Sequence, residues 1–246
     1  MRKFAAAGLM ASLALAFPAY KMQNRLPAPE AMIESIDTDP VQTEAAAEPF
    51  TVDKGGITYT VSPLYEYELQ GMVVTTHNAG SFLDISHGRW KDKLNIRDVC
   101  VIWGENARSG VYESMKFSSG DFTCRFRTRD LETFRAFNQA QMSNNHLLAR
   151  DEAVARAIMS ARRGDQVRLS GFLSEYAHDG GFHRGTSTTR EDTGDGACET
   201  IYVTEFEILQ PANRGWLFVF RGALGLAALC AILLVAGLFT GSARLD

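Results

Sequence analysis

The chain has 246 residues, 46% of them hydrophobic, with 25 Lys and Arg against 29 Asp and Glu for a net charge of −4. Between Thr51 and Gln210 there are 22 acids and 18 Lys and Arg, so the central region has no basic field to attract phosphates, which argues against generic nucleic-acid binding. Length allows one ordinary domain with anchors and linkers attached.

The N-terminus carries Arg2 and Lys3, then FAAAGLMASLALAF, Pro18, Tyr20 and Lys21. A basic start followed by a short apolar run predicts a signal peptide or signal anchor over residues 1–21. KMQNR follows directly without a small-x-small cleavage pattern, which favours an anchor. Residues 22–50 follow as a linker. From 26 to 50 they hold Glu30, Glu34, Asp37, Asp39, Glu44 and Glu48 with no Lys or Arg, four prolines and a run of three alanines. One sign of charge with frequent proline predicts an extended or disordered tether.

Residues 51–210 form the expected folded domain. ITYTVSP (57–63) and YEYELQGMVVTTH (65–77) read as strands, with a bend expected at Gly71. DVCVIWG (98–104) has the continuous apolarity of a buried strand. VYESMKF (111–117) and DFTCRFRT (121–128) predict a hairpin across SSGD. Helical spacing then sets in at Leu131, Phe134 and Phe137. It continues through SNNHLLARDEAVARAIMSARRGD, with Ser143 or Asn144 as the expected cap and Gly164 as the stop. VRLSGFLSEY (167–176) and TIYVTEFEIL (200–209) close the domain as strands. The fold class expected is therefore α+β: mainly β with one helical segment.

Three strands, a helix and two strands is the order of the OB-fold, a small barrel. The phrase GDQVRLSGFL resembles the fourth strand of many OB-folds, and TIYVTEFEIL resembles their last strand. The resemblance spans roughly residues 65–210 and implies an OB-like small barrel without implying catalytic residues. As a whole the chain resembles membrane-anchored bacterial envelope proteins.

GALGLAALCAILLVAGLFTG (222–241) is twenty residues without a charge. With Trp216, Phe218 and Phe220 ahead of it, it predicts a transmembrane helix over 216–241, and residues 242–246 form a short tail. Arg2 and Lys3 favour an inside N-terminus, and so a domain facing the periplasm from the bacterial inner membrane. Cys100, Cys124 and Cys198 allow one disulfide in three pairings, or three buried thiols, and no CxxC spacing points to zinc.

GxSxG, HExxH, P-loop and GxGxxG patterns are all absent, and no Cys/His nucleophilic arrangement can be assigned or excluded from sequence. The long polar segment HDGGFHRGTSTTREDTGDGACE (178–199) spells Asp192-Thr193-Gly194, yet an aspartic protease needs a second such motif after an apolar strand. A turn using Gly194 and Gly196 accounts for it better. His178, His183, Asp192 and Asp195 are the candidate metal ligands of the segment, with His87 or His146 as further partners. In TCRFRTR, alternation puts Arg125, Arg127 and Arg129 on one face of a strand, with Arg184 and Arg190 expected to extend that basic stripe from the long loop. OB barrels commonly bind on the face of strands two and three, with the loop between strands four and five as a lip.

The leading expectation is a membrane-anchored, nonenzymatic module without a cofactor, recognising a partner protein of the envelope, an envelope polymer or a small anion. The alternatives are a structural subunit of a membrane complex and an envelope metalloprotein or hydrolase using residues 178–199.

Overall fold

A computed structural model describes residues 2–81, 84–120, 122–189, 192 and 198–242, with side chains as far as residue 237. Arg190 and Asp195 lie outside the described residues, as do Gly194 and Gly196. The chain separates into two compact units, one of residues 1–25 with 212–246 and the other of residues 26–211.

The first unit is a pair of helices, α1 (Arg2–Gln23) and α6 (Arg214–Ser242). Both are long and apolar enough to cross a membrane, over Arg2–Gln23 and Arg214–Gly237. Neither is a packed core helix: Leu13, Phe17, Leu229, Ile232 and Leu233 all point away from protein. Such all-round apolarity suits a lipid surrounding. The pair touch closely where Gly8 faces Cys230, since a Cβ on Gly8 would lie 2.9 Å from the sulfur. Near one end the rings of Tyr20 and Phe220 are 5.6 Å apart.

The second unit is mixed α+β and is dominated by one eight-stranded sheet. In chain order its elements are β1 (Val41–Glu44), β2 (Phe50–Lys54), β3 (Ile57–His77), α2 (Ile85–Trp90), β4 (Asn95–Ile102), α3 (Gly104–Arg108), β5 (Lys116–Gly120), β6 (Thr123–Arg127), α4 (Leu131–Ala136), β7 (Met142–Ala149), α5 (Glu152–Ser160), β8 (Gln166–His178), β9 (Phe182–Arg184) and β10 (Cys198–Gln210). β3 pairs antiparallel with β4, β4 with β7, β10 with β8, and β8 again with β3, while β7 and β10 run parallel. The pairings thus return to the strand from which they start. Leu69, Val73, Val99, Val101, Leu147, Val167, Leu169, Ile201 and Val203 from these five strands share one apolar cluster with Val154 and Ile158 of α5. Each such side chain taken from water contributes roughly 1.5–3 kcal/mol. Gly171 lets β8 lie against β10, for a Cβ there would be 2.1 Å from the carbonyl oxygen of Tyr202.

Three expectations are corrected. Residues 142–149 form strand β7 and not the first turns of a helix. The helix starts only at Glu152, with the Asp151 carboxylate accepting the Val154 N–H at 2.9 Å. Leu147 and Leu148 are both buried because the two faces of β7 pack into different clusters, which mimics helical spacing in sequence. Val111–Ser114 is a 3-10 turn, so the hairpin is β5–β6 alone, and it forms a separate two-stranded sheet. The arginine strand is therefore not a member of the main sheet. The acidic stretch after residue 25 is also no free tether. β1 pairs with β3, Ile36 is fully buried, and Asp39 accepts the Trp103 indole N–H at 3.0 Å. Gln166 clasps the same stretch by donating to the Ala31 carbonyl and accepting from the Ile33 N–H, both at 2.8 Å.

Candidate functional site

The strand register places His77 of β3 opposite Asp98 of β4, Asp98 opposite His146 of β7, and His146 opposite Thr200 of β10. Directly paired residues point to the same face of a sheet, so four polar residues stand in one row. Val99 and Val101 face the large apolar cluster, which puts Asp98 and its row on the opposite, outer face. The row is nevertheless out of water: Asp98 and His146 are 1% and 2% exposed.

His146 is held by a carboxylate: its Nδ1 lies 2.7 Å from Asp98 Oδ1. Burial works to depress the imidazole's affinity for its proton, but the Asp98 carboxylate and Cys198 outweigh it and push the pKa up to about 9. Asp98 is held below the ordinary carboxylate range; burial opposes this, and the hydrogen bond with His146 overcomes it. Cys198 is a free cysteine. Its sulfur is 3.5 Å from Asn144 Nδ2 and 3.5 Å from the Phe122 carbonyl oxygen, to which the thiol donates.

Around this trio lies a second polar ring. Asn95 Nδ2 reaches Asp98 Oδ1 at 2.7 Å and His87 Nε2 at 3.2 Å. Asp84, the cap of α2, takes the His87 backbone N–H on Oδ1, while its Oδ2 sits 2.6 Å from both His87 Nδ1 and His77 Nε2. The Tyr176 hydroxyl donates to Asp92 at 2.8 Å, and burial followed by the Asp92 charge pushes its pKa well up. Among the described residues, Asn95 Oδ1, Asp98 Oδ2, Asn144 Oδ1 and Arg184 Nε are buried without a hydrogen-bond partner. Native interiors leave few such atoms, and each calls for an explanation.

Phe122 roofs the cluster. It sits at φ +61°, a backbone region that costs a bulky residue about 1–2 kcal/mol. Its ring stacks on Trp90 at 4.8 Å and lies 4.3 Å from the His87 ring. The Arg184 guanidinium covers it at 4.4 Å. The Cys100–Cys124 disulfide ties the hairpin bearing Phe122 to β4.

The residues singled out in sequence fall elsewhere. Arg125, Arg127 and Arg129 are exposed, and among the described residues none of them forms an ion pair. Arg184 does not extend their stripe; it is 13% exposed and turns inward, with Nη2 3.7 Å from Asp92. His178 and His183 sit on opposite faces of the β8–β9 ribbon, because His178 pairs with Phe182 and His183 with Ala177. They border an open groove of ≈ 360 Å³ with Arg89, Trp90 and Phe182, and His183 faces Glu175 at 3.4 Å. Asp192 is bonded to the Ser187 hydroxyl. His77, Asp84 and Asp98 escaped sequence reasoning, since their partners come from separate strands. The one local signal was Asp84-Ile85-Ser86-His87, an acid and a histidine three apart at a helix start. Comparison of the chain with family models, with curated proteins and with solved structures gives no match.

Proposed function

We propose that this chain is an anchored protein of the bacterial inner membrane, with an OB-type barrel in the periplasm whose outer face carries a thiol-dependent acyl-transfer site. The barrel reading is supported by the closed order of pairings, by the parallel match of its third and fifth strands, and by a helix between the third and fourth. The periplasmic reading is supported by two apolar helices, by Arg2 and Lys3, and by a disulfide, which persists in oxidising compartments.

The observation that carries the activity is the buried His146–Asp98 pair with the free thiol of Cys198 on the neighbouring strand, where Cys198 stands opposite Asn144, two residues from His146. A nucleophile, a base and a carboxylate that orients the base are the parts that covalent acyl transfer requires. Cys198 gives its thiol proton to the neutral form of His146, the resulting thiolate adds to a carbonyl carbon, and the Asn144 amide donates to the developing oxyanion. The leaving group departs with the proton from His146. Water, deprotonated by His146, then splits the thioester, and His146 hands that proton to the departing sulfur, which restores the thiol. OB folds commonly bind on the face of their second and third strands, which here carry Asp98 and His146.

The test uses the full chain in detergent with Cys230→Ser, so that Cys198 is the only free thiol. Wild-type Cys198 gives a stoichiometric burst of nitrophenol from p-nitrophenyl acetate, and Cys198→Ser gives none. Iodoacetamide alkylation slows at least about tenfold in His146→Ala, because the cation beside the sulfur is lost. No burst, with equal alkylation rates, overturns the assignment.

A second reading is favoured by Arg125, Arg127 and Arg129, three exposed guanidinium groups without ion pairs among the described residues: recognition of an acidic partner or polymer. Replacing all three by Ala weakens binding to immobilised poly-glutamate at least about tenfold at low salt. Equal retention of the triple variant and wild type removes this reading.

A further inference from the structure

The cluster of His77, Asp84 and His87 adjoins the thiol site through Asn95 but includes none of Asp98, His146 and Cys198. His77 ends β3, Asp84 caps α2 and His87 lies in its first turn, so a strand end and a helix start bring three ligand-type atoms together. His77 Nε2, Asp84 Oδ2 and His87 Nδ1 all lie within 4.8 Å of one another. Both imidazole nitrogens converge on the same carboxylate oxygen at 2.6 Å. Tetrahedral ligands at about 2.0–2.1 Å from zinc stand roughly 3.3 Å apart, so outward shifts of a few tenths of an ångström admit the ion.

We propose that His77, Asp84 and His87 bind a divalent transition metal of the zinc type. Two imidazoles and one carboxylate are the donor set such borderline ions favour, and a three-ligand site keeps a position for water or substrate. The surroundings suit a metal-bound imidazole. When Nδ1 of His87 ligates, its proton belongs on Nε2, and that atom needs an acceptor. Asp92 Oδ2 lies 3.8 Å from His87 Nε2 and is the carboxylate placed to accept that proton. Asp84 is itself fixed, because its Oδ1 accepts the His87 backbone N–H at 2.9 Å and leaves Oδ2 for the ion. His77 is the rim ligand, with its side chain 22% exposed, which gives an ion a way in.

The full chain in detergent, stripped with chelator and then equilibrated with zinc, is read by elemental analysis after gel filtration and by competition with a chelating dye. Wild type retains one zinc per chain. His77→Ala and Asp84→Asn each weaken zinc at least about 100-fold, as removing a ligand costs no less than removing an outer partner. His77→Ala acts at the rim, and its thermal unfolding without zinc stays close to wild type, which separates lost ligation from lost folding. Cys198→Ser retains its zinc, so failure of the acyl-transfer site and failure of the metal site are read separately. No zinc on wild type, unchanged affinity in both ligand variants, or loss of zinc in Cys198→Ser overturns the proposal.

Discussion

Asp98→Asn destabilises the domain by about 3–5 kcal/mol at pH 6, the range for breaking one half of a buried ion pair. The cost comes from stranding a cation: His146 is almost wholly buried, and its proton is held chiefly by Asp98 against the pull of desolvation. The pH dependence changes sign as well. In wild type the imidazole's pKa of about 9 lies above its value of 6.5 in the absence of such interactions. The stability it contributes is full below about pH 6.5 and is lost as pH rises through 9. Asp98, held below its ordinary value, adds stability that is present above about pH 4 and lost in acid. The pair is one interaction and is counted once. In Asp98→Asn no carboxylate opposes burial at His146 and its pKa falls, so that variant gains stability as pH rises from 5 to 8 while wild type loses it above 6.5. Denaturant midpoints across pH 5–9.5 read this directly. Parallel pH profiles for the two proteins would mean that His146 is not charged in the folded state.

The second large effect belongs to the disulfide. Cys100→Ala with Cys124→Ala opens a loop of 24 residues, and the chain-entropy account puts the loss at about 3 kcal/mol. For a domain of this size that lowers the Tm by about 10 °C. The polar cluster responds too, because the hairpin holds Phe122 over it in a left-handed conformation that no local preference supports. Once the tie is cut, Phe122 leaves its stack on Trp90, and Cys198 alkylates faster than in the tied protein. Calorimetry on both proteins checks the first effect and timed alkylation the second. A Tm within 2 °C of wild type, which is under about 1 kcal/mol, would remove the entropic role assigned to the bond.

Sequence by itself determined the two apolar helices, the α+β class and most strands of the central domain. These depend on local physics: an uncharged run of twenty residues has few stable surroundings, and alternating β-branched residues suit a half-buried pleat. It also put Arg125 and Arg127 on the open face of their strand, which strand periodicity alone predicts. It failed at β7, where Leu147 and Leu148 bury on opposite faces of one strand and so imitate a helix. It failed for the acidic stretch after residue 25, which is fastened to the domain by Gln166 and Trp103, each more than sixty residues away.

Only the tertiary structure decided the site. His77, Asp98, His146 and Thr200 are spread over more than a hundred residues, and cross-strand register alone brings them into one row. A one-residue slip in any pairing would turn that strand's member to the other face. Arg184 went from the rim to the interior for a similar reason: β9 folds back on β8 and aims its side chain at Asp92 and Phe122. Period, charge and composition describe each segment separately. Which distant polar side chains share a dry space is settled by how the strands meet.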